Sequence, residues 1–324
     1  MSRASIIGLV VAVILLLLLP LVFNNFMTQI AVSTITYAML GLAFALGMRV
    51  GLPRLDIISF YGIGAYTTGL LTVNLHMNFW LATLLAGLCS VIIGGILHSL
   101  SVPRGMLAFF VFCMVLSMAV YQMFGSVPIF GGWGGLTGIP PATLGSLVFD
   151  TQTKVYYLGI FFLALTSTVY YLLYHSRIGR AWDAISSSLA LARSVGVDVV
   201  RYRLSAVLIG NFFIGVAGSF FVSYYRAAIP AIFGFNTGVL VLVYLIIGGM
   251  GHSLVGPILG AIIATFVPEY LRFAQSYQAI ATAVIVLLIL MFLPMGVLGW
   301  IDKHIMSRLN KMRWYSRYIV GVKT

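Results

Sequence analysis

Long apolar blocks separated by short polar links dominate this chain, and that alternation decides what it can fold into. Ile6–Phe23, Leu81–Leu100 and Ala279–Leu293 contain no Asp, Glu, Lys or Arg. A helix needs about 20 mostly apolar residues to cross about 30 Å of hydrocarbon. Of the 324 residues, 61% are hydrophobic and 7% charged, whereas a soluble domain carries roughly 25% charged residues. The chain therefore lacks the polar surface to coat a globule in water. An all-α polytopic membrane protein is predicted; a soluble enzyme, a nucleic-acid-binding domain and a disordered tail are excluded.

Ten spans are predicted, at 6–23, 28–47, 58–74, 79–99, 106–124, 155–174, 204–224, 237–250, 254–271 and 277–294. With the N-terminus inside, the cytoplasmic side receives Arg3, Arg49, Arg54, Arg104, Arg177, Arg180, Arg193, Arg201, Arg203 and six basic residues of the tail, 15 in all. Only Lys154, Arg226 and Arg272, 3 residues, fall outside. This is a strong positive-inside bias, and it places both termini in the cytoplasm. Residues 1–300 then form one transmembrane domain, with a cytoplasmic loop at 176–203 and an external Gly/Pro-rich loop at 125–154. Residues 301–324 form a basic cytoplasmic tail. Arg3 followed by an apolar run resembles a signal sequence, but Pro20, Leu21, Val22 and Phe23 leave no small-residue cleavage site, so a retained first span is expected. Cys89 and Cys113 lie inside apolar blocks without ligand spacing and read as small buried hydrophobes.

Three segments interrupt the pattern: Gly51–Ser59 with Pro53, Arg54 and Asp56; Gly125–Asp150 with Gly131-Gly132-Trp133-Gly134-Gly135; and Gly248–Pro257 with Gly249 and Gly251. Irregular backbone at membrane depth is tolerated only where it is buried in protein or lines an aqueous cavity. Interruptions in both halves of a chain also point to transporters built from inverted repeats; here spans two to five and seven to ten would run in opposite senses. The first and third segments are expected at a gate or translocation route. Arg54 and Asp56 have two readings: a gate pair with Arg54 open to a substrate carboxylate, or a juxtamembrane arginine snorkelling to the interface beside Asp56.

The chemistry that is missing is equally informative. The acidic residues are Asp56, Asp150, Asp183, Asp198, Glu269 and Asp302, and none lies in the centre of a predicted span, where an ion-coupled carrier usually keeps one. The histidines are isolated and near span ends, so no metal or proton-relay cluster is expected. No phosphate loop or hydrolase motif is present. Nothing in the chain drives transport alone.

The loop 176–203 is the place for a partner. Between Gly179 and Gly196 it reads as one short helix, with Ala181, Ala184, Ile185, Leu189 and Ala192 at helical spacing, Val195 continuing the stripe and Gly196 as its stop. It suits either anionic membrane lipid or a cleft in a cytoplasmic motor.

Five ordered motifs resemble the permeases of branched-chain amino-acid-type ABC importers, the LivM-like family. They are Gly179-Arg180-Ala181-x-x-Ala184-Ile185 with Ala192-x-x-x-Gly196-Val197 and Tyr202-Arg203-Leu204; Phe60-Tyr61-Gly62-Ile63-Gly64-Ala65-Tyr66; Gly131-Gly132 with Gly135-Leu136-Thr137-Gly138-Ile139-Pro140; Gly248-Gly249-Met250-Gly251 with Gly256-Pro257-Ile258-Leu259-Gly260-Ala261; and Pro294-x-Gly296-x-Leu298-Gly299. The chain departs from the family at Leu52–Ile58, where a polar Gly-Gln-x-Ser-x-Gly-His run is usual, and at Ser186-Ser187-Ser188, where glutamates are usual. The first difference leaves the substrate open, and the second points to a matched, non-interchangeable ATPase.

The resemblance implies a type II-like permease in a bacterial inner membrane that imports a small polar solute, such as a branched-chain amino acid or a related amide or carboxylate. It implies a second homologous permease, two cytoplasmic ATPases that hold ATP and Mg, and a periplasmic binding protein, with no cofactor on this chain. Gly179, Arg180, Ala181, Asp183, Ala184, Ile185, Ala192 and Gly196 would couple to the ATPases. Arg54, Asp56, Gly62, Gly64, Tyr66, Gly248, Gly249, Gly251 and Pro257 would line the gate or route. Lys154, Arg226 and Arg272 would dock the binding protein. The alternative is a stand-alone secondary carrier or channel.

Overall fold

A computed structural model of the chain describes residues 25–145, 147–249, 254–272, 277–292, 296–297 and 299–300. Its helices are α1 (Asn25–Met48), α2 (Ile57–Asn74), α3 (Phe79–Ser101), α4 (Met106–Ser126), α5 (Gln152–His175), α6 (Arg177–Ser187), α7 (Leu189–Ser194), α8 (Val199–Tyr225), α9 (Phe235–Gly248), α10 (Val255–Tyr270) and α11 (Gln278–Phe292). Helices fall on nine of the ten predicted spans; the other, 6–23, lies outside the described residues, as does the tail 301–324. Helices α1, α3, α4, α5 and α8 are long and apolar enough to cross a membrane. Helices α9, α10 and α11, with 14, 16 and 15 residues, rise only about 21–24 Å.

Two compact units divide the chain, Met1–Val241 and Leu242–Thr324. In the first, α8 is the axis, with α2, α3 and α1 against it. Lipid offers no hydrophobic drive for helices to associate, so close packing and internal hydrogen bonds must do it. Helix α3 shows how. Leu81, Leu84, Leu88, Ile92, Ile96 and Leu100 form an exposed aliphatic stripe, while Ala82, Thr83, Ala86, Gly87, Ser90 and Gly94 are buried. Gly64 of α2 touches the backbone of Gly215 on α8 so closely that a Cβ on it would collide with the Gly215 carbonyl. Thr68 Oγ1 and Thr83 Oγ1 each lie 2.7 Å from Ser219 Oγ, tying α2 and α3 to α8.

The segment 125–150, expected to be irregular, is partly paired. Strand β1 (Leu136–Thr137) runs antiparallel to β4 (Ala227–Ala228), and β2 (Thr143–Leu144) to β3 (Leu147–Val148). In the second unit, Tyr244, Ile247, Ala264 and Val286 form the core. There the end of α9 meets the start of α10 at Gly248, where a Cβ would strike the Gly256 carbonyl and the Gly260 amide.

A leucine at Gly64 should part α2 from α8 and lower stability by about 1–3 kcal/mol, the usual cost of overpacking. Alanine at Gly95, whose added Cβ would meet only ordinary contact at 3.9 Å, should be neutral. Thermal unfolding in detergent, followed by size-exclusion fluorescence, checks both.

Candidate functional site

Two sites emerge within the first unit. The first begins where α1 ends. Val50 N and Leu52 N both donate to Gly47 O at 3.2 and 3.1 Å, closing the helix, and Gly51 takes a positive φ of 67°. Residues 49–56 then turn back into the bundle, and α2 starts as Ser59 N and Phe60 N donate to Asp56 O. Arg54 and Asp56 are both wholly buried. Arg54 Nε donates to Asp56 Oδ1 at 2.8 Å and Nη2 to Oδ2 at 3.1 Å. Its Nη2 also reaches Asn211 Oδ1 at 2.5 Å and its Nη1 Val207 O at 3.3 Å. His98 Nε2 lies 2.6 Å from Asp56 Oδ2, and Ser117 Oγ donates to Leu55 O at 2.7 Å. One short link therefore holds α3, α4 and α8 together.

The depth of this network follows from its partners. Asn211 is close to the midpoint of the 27-residue α8, and Ser117 to that of the 21-residue α4. Arg54 therefore does not snorkel; it is enclosed at membrane depth and paired. The expectation of isolated histidines also fails, because His98 completes the Asp56 hydrogen-bond set. Burying two charges costs several kcal/mol per ion unless geometry and further hydrogen bonds offset it, and here both oxygens of Asp56 are engaged. The nearest potential ligand atoms of Asp56, His98 and Cys113 lie within 4.8 Å of one another. Both Asp56 oxygens and His98 Nε2 are already committed to contacts within the network.

The second site is the link between α5 and α8. Ser176 caps α6, its Oγ accepting from Gly179 N at 3.1 Å. Gly179 sits against the Leu173 and Tyr174 carbonyls with no room for a Cβ. Trp182 is fully buried, with Nε1 donating to Tyr202 O at 2.9 Å. Asp183 accepts from Arg49 at 2.6 Å on each oxygen and at 3.0 Å from Nε, while the guanidinium carbon stands 4.1 Å from the Tyr174 ring centroid.

The expected single helix is two. Ser188, extended at φ −158° and ψ 110°, ends α6 and caps α7. The stripe also divides. Ile185 and Ala192 turn inward with Val199, Ala181, Asp183 and Leu189 are half-buried, and Ala184, Arg180 and Gly196 are exposed. Ile178, Leu191 and Val195 form the exposed apolar ridge. It borders an open groove of about 560 Å³ that also involves Gly196, Arg201 and Tyr202.

The remaining route candidates scatter. Gly62 and Gly64 are packing positions, Gly62 against Phe124 and Phe233. Buried Tyr66 stacks on Phe124 at 4.3 Å. Gly248, Gly249 and Pro257 lie in the second unit, and Gly251 is outside the described residues. A cleft of about 50 Å³ in the first unit is lined by Ser33, Thr36, Tyr37, Tyr61, Tyr225 and Thr237 with Ile58, Phe221 and Ile232. It has no Asp, Glu, Lys, Arg or His in its lining.

Of the docking candidates, Lys154 pairs with Asp150 at 2.8 Å, a bond that holds the Asp150 carboxyl down at about 2. Arg272 pairs with Glu269 at 3.0 Å. Arg226, exposed and at φ 56°, has no ion pair among the described residues.

A family model described as branched-chain amino acid transport system / permease component matches residues 26–295. The chain belongs to this permease family. It is 28% identical over 306 residues to the high-affinity branched-chain amino acid transport system permease protein LivM of Salmonella typhimurium, covering 86% of this chain and 71% of that one. To LivM of Escherichia coli K12 it is 27% identical over 317 residues, 90% and 74% of the two chains. To the permease protein LivH of Salmonella typhimurium it is 30% identical over 157 residues, 48% and 49%. No solved structure matches it. As a member of this family it is a multi-pass membrane transport subunit and not an enzyme.

Asp56→Ala would leave the Arg54 charge buried without its counter-ion, and stability should fall by about 3–5 kcal/mol. The double change Arg54→Met with Asp56→Leu should cost less than Asp56→Ala. Thermal unfolding of the three proteins in one detergent ranks them.

Proposed function

We propose that this chain is the transmembrane permease subunit of an ATP-binding-cassette importer. On this reading it has ten spans, cytoplasmic termini and an inverted repeat, and sits in a bacterial inner membrane with a second permease. LivM and LivH relatives both align with it, which suits a homologous partner. Two cytoplasmic ATPases would hold ATP and Mg and take up the 177–194 helix pair. A periplasmic binding protein would deliver the solute, with Arg226 as the available external cation and Lys154 and Arg272 beside their acidic neighbours.

The observation that carries this reading is the helix pair itself. It has an inward face cemented by Trp182, Ile185 and Ala192, an outward face of Ile178, Leu191 and Val195, and exposed Arg177, Arg180 and Arg193 on the same pair. Lipid would explain a basic apolar helix, but the pair presents a folded knob beside a groove, the shape a protein cleft receives.

The solute class, a branched-chain amino acid or a related amide or carboxylate, is inferred from the family; the hydroxyl-lined cleft of about 50 Å³ is smaller than such a solute.

The buried Asp56–His98 contact is the one feature on the side of a self-contained, proton-coupled carrier. Asp56 is bridged by Arg54 and lines neither of the two cavities described, which weighs against it. Reconstitution separates the readings. The importer requires the ATPases and ATP for uptake, whereas a carrier works from this chain and an ion gradient alone. Ala184 is exposed on α6, so Ala184→Arg should leave membrane insertion and stability unchanged. It should reduce ATPase co-purification and uptake about tenfold or more, the effect of a misplaced charge at a contact face. Normal uptake in this variant would remove α6 from the interface.

A further inference from the structure

The two sites are the ends of one connector. Residues 49–56 begin at Arg49, which grips Asp183 on α6, and end at Asp56, which opens α2 inside the bundle. We propose that this link is a strut that carries displacement of the 177–194 helix pair into the bundle, with Arg49 and Asp183 as the positioning residues that clasp it. The proposal rests on the importer reading and adds the route of coupling.

The outer end is a clasp of unusual firmness for its exposure. Asp183 receives two nitrogens of one guanidinium, a fork geometry that fixes orientation as well as distance. The Arg49 side chain is 4% exposed and lies over Tyr174 at the end of α5. The middle is stiffened by the turn bonds to Gly47 O and by Arg203 of α8, whose Nε donates to Val50 O at 3.1 Å. The inner end is the Arg54–Asp56 network on His98, Ser117 and Asn211.

The two ends differ in what it costs to open them. Separating Arg54 from Asp56 would strand two charges at membrane depth. Asp183, with a side chain 36% exposed, faces water on one side, so opening the outer clasp leaves only Arg49 buried, with its guanidinium still over the Tyr174 ring. A push on α6 is therefore passed on as long as the outer clasp holds, and it arrives at the start of α2 and at the contacts with α3, α4 and α8. Spatial continuity alone does not establish coupling between sites; both must bias one shared element. The testable content is that breaking the clasp separates ATP hydrolysis from transport without dissolving the complex.

The experiment uses the whole complex, this chain with its second permease and ATPases, in proteoliposomes with the binding protein. It records complex yield, ATP hydrolysis and solute moved per ATP. Arg49→Gln, outside the ATPase-binding pair, should keep yield and hydrolysis within about twofold while solute per ATP falls about tenfold, within the usual range of coupling energies, and Asp183→Asn should lower solute per ATP likewise. Arg49→Lys keeps the charge but loses the fork, and should fall between. The swap Arg49→Asp with Asp183→Arg should recover at least part of the ratio. Unchanged solute per ATP in all the single variants overturns the strut. So does a loss in which hydrolysis falls in step with transport. If the Gln and Asn variants do not accumulate, Arg49→Lys decides by the same ratio. Failure of the ATPases to co-purify with the unaltered chain would instead overturn the importer reading.

Discussion

A buried guanidinium must be paired, and everything around Arg54 answers that constraint. Its charge requires Asp56 two residues later, which forces 49–56 to fold inward and delays the start of α2 until the chain is already inside the bundle. The oxygens of Asp56 then need donors, which brings His98 of α3 into register, and the remaining guanidinium hydrogens find Asn211 and Val207 on α8. Backbone left open by the break is closed in turn by Ser117 on the Leu55 carbonyl. The link is thus buried in protein, where irregular backbone at that depth is tolerated.

Around this polar knot the bundle relies on smallness. Where α2 and α8 meet, glycines bring backbones into contact, and serine and threonine hydroxyls bridge them; large aliphatic side chains go to the outside. The result is a tightly joined inner layer with the 177–194 pair attached at one end by a tryptophan, an aspartate and a small apolar seam. Rigidity inside and a separable attachment outside are the division of labour expected of a part that moves against another.

Much of this was legible in the sequence, for identifiable reasons. Helices in lipid must be long and apolar, so runs and charge placement located nine helices. Pro53, Arg54 and Asp56 marked the break because no straight helix would carry them. His98 was invisible as a partner of Asp56, since 42 positions separate them and only packing brings α3 alongside. Periodicity over 181–192 predicts one helix with two unlike faces where the structure has two, and it does not say which face meets the chain's own body. Ile185 and Ala192 turned inward, leaving Ile178, Leu191 and Val195 outside. The stop at Ser188 escaped as well: three successive serines carry no breaker as strong as glycine or proline, and the extended backbone there comes from Ser188 capping α7. In the external loop, glycines signalled turns, but the pairing of Leu136–Thr137 with Ala227–Ala228 depends on a neighbour about ninety residues away.

The apolar ridge of the helix pair has a consequence for the subunit before it meets anything. Ile178, Leu191 and Val195 point away from the bundle on the side predicted to face the cytoplasm, and Leu191 and Val195 are about two-thirds exposed. Contiguous greasy surface in water is a liability until covered. An orphan copy of this chain would therefore be sticky at the one place that identifies it as unassembled, so its solubility in the cell is tied to the supply of whatever covers that ridge. On the importer reading, the residues that would fit the ATPase would also expose its absence to the cell's quality control.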